Sequence, residues 1–144
     1  MIVISHRGNI DGPNPKTENK PHQIEKVISM DVQVEIDVRF VENSWYLGHD
    51  DNQNRIDLSF LQENKEMLWC HAKNIFALER MLEAGLHCFW HQEDYYTLTS
   101  KGIIWAYPNH YTGAGILVMP SKELIDKYRQ SIYGICVDDI REFI

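Results

Sequence analysis

Four polar clusters punctuate this 144-residue chain: His6-Arg7, Glu35 with Asp37, His49-Asp50, and His71 with Lys73. Each lies in, or directly after, a short apolar run that reads as a strand. Residues two apart on a strand point the same way, so the carboxylates of Glu35 and Asp37 share a face, and so do His71 and Lys73. Two buried carboxylates side by side repel each other and need a cation or a proton between them. A hard divalent ion meets that need with oxygen ligands. Of His71 and Lys73, one could add a ligand and the other could neutralise a phosphate.

The elements that must position these clusters follow from the pattern of apolar residues. Ile2 to Ser5 reads as a strand that runs into His6-Arg7-Gly8 and a loop rich in Pro, Asn and Gly. Gln23 to Met30 has helical spacing. Val32 to Phe40 alternates, with Val32, Val34, Ile36 and Val38 on one face and Gln33, Glu35, Asp37 and Arg39 on the other. Trp45 to Leu47 is extended, Asp51 to Arg55 is a polar turn, and Leu58 to Asn64 is a short helix. Met67 to Ala72 is a strand. It is followed by a helix from Ile75 to Ala84, with Phe76, Leu78, Met81 and Leu82 expected inward and Gly85 as its stop.

The second half changes character. Runs at 87–90, 96–99, 103–107, 116–119 and 135–137 read as strands, and only 121–131 reads as helical, with Ser121 as its N-cap. Strand-helix-strand order in the first half implies parallel pairing with right-handed crossovers. Residues 1–144 are therefore expected to form a single domain of the α/β class, a small (β/α)8 barrel of the TIM type with several outer helices missing in its second half. In such a barrel the carboxyl ends of the strands converge on one face, where active sites are built.

Composition narrows the partners. Lys+Arg 14 against Asp+Glu 21 gives a formal charge of −7, which opposes binding to nucleic-acid phosphates. No apolar run approaches the ~20 residues needed to span a bilayer. The start of the chain lacks the pattern of a signal peptide. Cys70, Cys88 and Cys136 are each flanked by apolar residues and contain no Cys-x-x-Cys pair, so they are expected as buried free thiols. These features predict a soluble, cytoplasmic protein.

The clusters also resemble a known family. Ser5-His6-Arg7-Gly8, Thr17-Glu18-Asn19, Val34-Glu35-Ile36-Asp37-Val38 and Leu47-Gly48-His49-Asp50 are similar, in order and approximate spacing, to motifs of the glycerophosphodiester phosphodiesterases. They are more distantly similar to the sphingomyelinase D-like and phosphatidylinositol-specific phospholipase C enzymes. Gly134-Ile135-Cys136-Val137-Asp138 resembles the family's closing strand, and the strong resemblance covers about the first third of the chain. It implies that Glu35 and Asp37 hold one divalent ion, Mg²⁺ or Ca²⁺, that His6 and His49 are the catalytic acid/base pair, and that Arg7 and Lys73 bind phosphate oxygens. Where the family has Glu-x-Lys, this chain has His71-Ala72-Lys73, so His71 takes the place of the third ligand. The implied substrate is a small glycerol- or sugar-type phosphodiester.

Plainer readings exist for most of these residues. Glu35 and Asp37 could lie on the wet face of an edge strand, and His71 could be a core histidine held by a hydrogen bond. Asp138 is either site-facing or a loop cap. Asn19 is a possible site-lining residue. Trp105 and Tyr107 either wall a pocket or pack the barrel core. His91, Glu93 and Asp94 form a polar cluster that is either a solvated turn or part of the site. At the level of function, hydrolysis and cyclising cleavage remain open, as does a non-catalytic phosphoester-binding module. A metal scaffold without phosphate chemistry leaves Arg7 and Lys73 unexplained. The lack of covering helices between His87 and Met119 predicts exposed aromatics, among Trp90, Tyr95, Tyr96, Tyr107 and Tyr111, and a homodimer that buries them.

Overall fold

The longest strand, β2 (Gln33–Val41), organises the molecule, which is described for residues 1–144 by a computed structural model. Its alternation sends Val34, Ile36 and Val38, all fully buried, to one face, and Glu35 and Asp37 to the other. On one edge, β1 (Ile2–His6) runs parallel to the first part of β2, pairing Ile4 with Gln33 and His6 with Glu35. Beyond β1, the same edge continues into an antiparallel hairpin with β3 (Ser44–Leu47), and β4 (Asn54–Ile56) adds outside it. Glu42 and Asn43 join β2 to β3 with φ of 51° and 61°, the double left-handed conformation of a tight type I′ turn. On the other edge, β5 (Leu68–Ala72) pairs in parallel from Val34–Leu68 to Val38–Ala72.

The remaining strands are β6 (Cys88–Trp90), β7 (Tyr96–Leu98), β8 (Ile104–Ala106), β9 (Ile116–Val118) and β10 (Gly134–Val137). Parallel pairing runs β6-β5-β2-β1-β10-β9-β8, and β7 closes the row antiparallel to β8. The result is a curled half-barrel of 10 strands. No ladder joins β6 to β7. Isolated bonds cross there instead: Ser100 N–H to the Cys88 carbonyl at 2.8 Å, and the Thr97 hydroxyl to the Trp90 carbonyl at 2.7 Å.

This overturns the expected (β/α)8 barrel, because the chain has only four α-helices: α1 (Pro21–Ile28), α2 (Leu58–Glu63), α3 (Ile75–Glu83) and α4 (Lys122–Tyr128). The reason lies in the connections. A parallel crossover through a helix takes a dozen or more residues, and the one shorter parallel connection, 107–115 from β8 to β9, is made without a helix. Segments 91–95 and 99–103 are too short for a helical crossover, and 99–103 simply turns the chain back, so β7 is antiparallel to β8. Segment 107–115 contains Pro108, Gly113 and Gly115 and forms no helix.

Two layers of packing result. On the convex face, Ile24 and Val27 of α1, Leu61 of α2, and Ala77 and Met81 of α3 pack on Val34, Ile36, Val38, Cys70 and Ala72. The expectation for α3 needs correction: Phe76 and Leu82 are 61% and 52% exposed, while Ala77 and Met81, one helical turn apart, face the sheet. Side chains 100° further round the helix at each step fall outside that narrow contact. Asn74 and Ser121 cap α3 and α4, accepting from the amides of Ala77 and Leu124. The segment expected as a polar turn, 51–55, ends instead in β4.

Inside the curl, Ile4, Trp69, Phe89, Trp105, Ile116 and Cys136 form a dry plug. Each comes from a different strand. Two residues further along those strands, on the same face, stand His6, His71, His91, Tyr107, Val118 and Asp138. The plug is therefore the floor of a cleft whose walls are set by strand periodicity. All three cysteines are free and buried. No helix is long and apolar enough to cross a membrane.

Candidate metal centre and its cleft

Glu35 and Asp37 are 3% and 0% exposed, which removes the wet-edge reading, since β2 is flanked on both sides. Asp37 is the register partner of His71, and its Oδ1 lies 3.4 Å from His71 Nδ1. Glu35 Oε1 lies 3.7 Å from the same nitrogen. One potential ligand atom from each of these three residues falls within 4.8 Å of the others, close enough for a single ion to touch all three. Two of the carboxylate oxygens, Glu35 Oε2 and Asp37 Oδ1, are buried without a hydrogen-bond partner. Buried carboxylate oxygens with no donor are costly, and a cation is the partner this arrangement calls for.

The charges around the pair show the same need. Burial alone would lower the pKa of His71, but the Asp37 and Glu35 carboxylates push it up to about 9. Burial alone would raise Asp37, yet the contact and charge of His71, with Arg7 and Asn19, hold it well below the usual carboxylate range. In the absence of an ion, a proton on His71 takes the cation's role.

Asn19 fixes Asp37 on its far side. Its side-chain amide donates to Asp37 Oδ2 at 2.9 Å, and its carbonyl oxygen accepts from the Asp37 amide at 3.0 Å. Both Asn19 and Arg7 adopt left-handed backbone conformations, with φ of 57° and 56°. This folds the 7–19 loop back over the strand ends, where Arg7 N–H donates to the Glu35 carbonyl and Asn19 N–H to the Arg7 carbonyl. Arg7 Nε then sits 3.1 Å from Asp37 Oδ2, aligned as an ion pair rather than a hydrogen bond. Its Nη1 reaches Glu18 Oε2 at 3.4 Å.

His6 completes this wall. Its Nδ1 is 2.7 Å from Asp138 Oδ1, which Asn9 also holds at 2.8 Å, and its Nε2 faces Glu35 Oε2 at 3.9 Å. Burial would lower its pKa, but the hydrogen bond to Asp138 and the charge of Glu35 raise it. Asp138 is thus site-facing rather than a loop cap, and its own pKa falls, against burial, through the bond to His6.

A cleft of ≈ 420 Å³ opens on these groups and is lined by His6, Arg7, Glu35, His49, His71 and Lys73, with an aromatic wall that includes Trp90, Trp105 and Tyr107. Trp105 does two jobs, packing in the plug and lining the cleft. His49 arrives on the loop after β3, where Arg39 donates to the carbonyls of Gly48 and His49. Gly48 is required there, because a Cβ would lie 2.0 Å from the Asp51 carbonyl oxygen. The His49 side chain is 40% exposed and its Nδ1 is 2.7 Å from Asp50 Oδ1, so it stands at the rim. Lys73 follows β5, and its backbone N–H donates to the Val38 carbonyl at 2.9 Å.

The candidate catalytic, phosphate-binding and metal-binding residues, with Asn19, Trp105 and Asp138, therefore meet at one cleft or in its supporting bonds, whereas Glu93 and Asp94 are exposed and do not line it. Two contributors had no role assigned from sequence, and a third was read chiefly as a solvated turn. Glu18 and Asn9 bond each other and the Arg7 and Asp138 side chains. His91, read as part of a solvated turn, is 9% exposed, and its carbonyl accepts from His71 Nε2 at 2.9 Å. Its position two residues after Phe89, as His71 follows Trp69, was the available signal. No family model, curated protein or solved structure matches the chain.

Proposed function

We propose that this chain is a metal-assisted phosphodiesterase of the glycerophosphodiester phosphodiesterase type, acting on a small glycerol- or sugar-type phosphodiester. The observation that carries this reading is the convergence, on one cleft, of a buried Glu35/Asp37/His71 cluster with two further histidines and two cationic side chains. Glu35, Asp37 and His71 would hold a divalent ion, which would supply charge neutralisation for the phosphate. Arg7 and Lys73 bind the remaining anionic oxygens, which a bare metal scaffold would not require. His6, oriented through Nδ1 by Asp138, presents Nε2 to the cleft. Its raised proton affinity suits it to donate to the leaving alkoxide, and His49 at the rim accepts a proton from the attacking water. Trp105 and Tyr107 offer flat faces to the alcohol portion.

The reading is tested by a hydrolysis screen over aryl phosphodiesters, glycerophosphodiesters and nucleotide-sugar diesters, with divalent ions added. His6→Ala and His49→Ala should each lower turnover by at least ~10²-fold, the lower end for general acid/base residues. Wild-type turnover in both variants contradicts the two-histidine assignment. Absence of turnover on every diester, with ligand binding retained, favours a non-catalytic phosphoester-binding module. A cyclic phosphate among the products identifies attack by a substrate hydroxyl instead of water.

A further inference from the structure

The Glu35/Asp37/His71 cluster differs from an all-oxygen cage in one ligand, and the surroundings of His71 decide how that ligand presents itself. Its Nε2 lies 2.9 Å from the His91 carbonyl oxygen. A carbonyl can only accept, so Nε2 must carry the hydrogen. Once the extra proton has left, the lone pair of the neutral ring is on Nδ1, the atom that faces Asp37 Oδ1 at 3.4 Å and Glu35 Oε1 at 3.7 Å. Phe89 stacks on the ring at 4.9 Å with 15° between the planes, which fixes the direction of that lone pair. Carbonyl-oriented imidazoles of this kind are how proteins prepare histidine for a metal.

We infer that this centre takes a nitrogen-accepting first-row ion, of the class of Mn²⁺, Co²⁺ or Zn²⁺, in preference to Mg²⁺ or Ca²⁺. The inference rests on the reading that Glu35, Asp37 and His71 bind an ion at all, and it departs from the Mg²⁺ or Ca²⁺ that the family resemblance implies. Mg²⁺ and Ca²⁺ are hard ions that favour oxygen and gain little from an imidazole. Two carboxylates and one neutral imidazole balance the charge of a divalent ion, and the imidazole adds a donor that rewards the softer one.

The test uses the full chain, dialysed against a chelator and titrated calorimetrically with Mn²⁺, Co²⁺, Zn²⁺, Mg²⁺ and Ca²⁺. Binding that survives in E35Q/D37N belongs to surface histidines and is subtracted. At least one of the first three ions should bind ~10-fold or more tightly than Mg²⁺ and Ca²⁺. H71E should erase most of that preference. Pulsed EPR of the Mn²⁺-loaded wild type should show a directly bound nitrogen, a readout that needs no variant to fold. Equal or tighter binding of Mg²⁺ or Ca²⁺ overturns the inference while leaving an ion at the site, and so does a Mn²⁺ ion without a nitrogen ligand. No binding of any ion overturns both the inference and the function on which it rests.

Discussion

Asp37 and His71 are register partners on neighbouring parallel strands, with Oδ1 and Nδ1 3.4 Å apart. The pairing of β2 with β5 therefore builds the centre directly. A slip of one residue in that pairing would send His71 to the convex face, among the helices. The hydrophobic pattern on both strands prevents it, because Leu68, Cys70 and Ala72 would have to enter the cleft.

Asn19 is the first place to probe that arrangement. It satisfies both the amide and one carboxylate oxygen of buried Asp37. Asn19→Ala should destabilise the protein by about 1–3 kcal/mol, the cost of leaving such groups unpaired. Urea unfolding measures this, and an unchanged midpoint would show that Asn19 does not hold Asp37.

The second concerns His6. Its pKa is raised, against burial, by the bond to Asp138 and the charge of Glu35. Asp138→Asn removes the charge but keeps the shape, so the His6 pKa should fall and the acid/base limb of any rate profile should move to lower pH with it. Titration of the His6 ring by NMR reads the shift. A pKa unaltered by the substitution would rule out Asp138 as the orienting group.

His87 governs acid stability. It is buried against Trp69, at 4.3 Å between ring centroids, and hydrogen-bonded to Thr99 at 2.8 Å. Burial, with the charge of Lys101, lowers its pKa from 6.5 to about 4. Between those values the unfolded chain takes up a proton that the folded chain refuses. Its contribution is thus full above pH 6.5 and is lost as pH falls towards 4, by roughly 3 kcal/mol. Unfolding free energy measured across that range should fall less steeply in His87→Gln than in wild type. Parallel curves would contradict this account of His87.

Much of the site was legible because strand periodicity reports side-chain direction. Glu35 with Asp37, and His71 with Lys73, share a face by a period of two alone. The closure of the fold was not legible in the same way. Eight apolar runs suggested eight barrel strands, but the turn-length segment 99–103 sets β8 back against β7, and chain length between runs was the better guide. The burial of His91 also escaped, since its polar neighbours Gln92, Glu93 and Asp94 mask the alternation that Phe89 begins. On α3, hydrophobicity alone could not separate Met81, which faces the sheet, from Phe76, which does not.

The outer face of the β7–β8 hairpin has no helix over it, and Tyr96, Leu98, Ile104 and Tyr111 are exposed there, with Tyr95 beside them. Trp90 is half-buried, and the exposed Tyr107 lines the cleft. A patch of this kind favours self-association with two-fold symmetry. Light scattering should report a dimer that Tyr96→Lys with Leu98→Lys converts to a monomer. A monomeric wild type at micromolar concentration would refute it.

The central claim is that ion binding by Glu35 and Asp37 drives phosphodiester cleavage. Its most direct test follows hydrolysis of a glycerophosphodiester by chelator-treated protein before and after a divalent ion is restored, in wild type and in E35Q/D37N. The account predicts turnover in wild type that disappears with the ion and returns with it, and at least ~10²-fold less in the double variant at any ion concentration. Equal turnover by the two proteins, or turnover that survives removal of the ion, would contradict it.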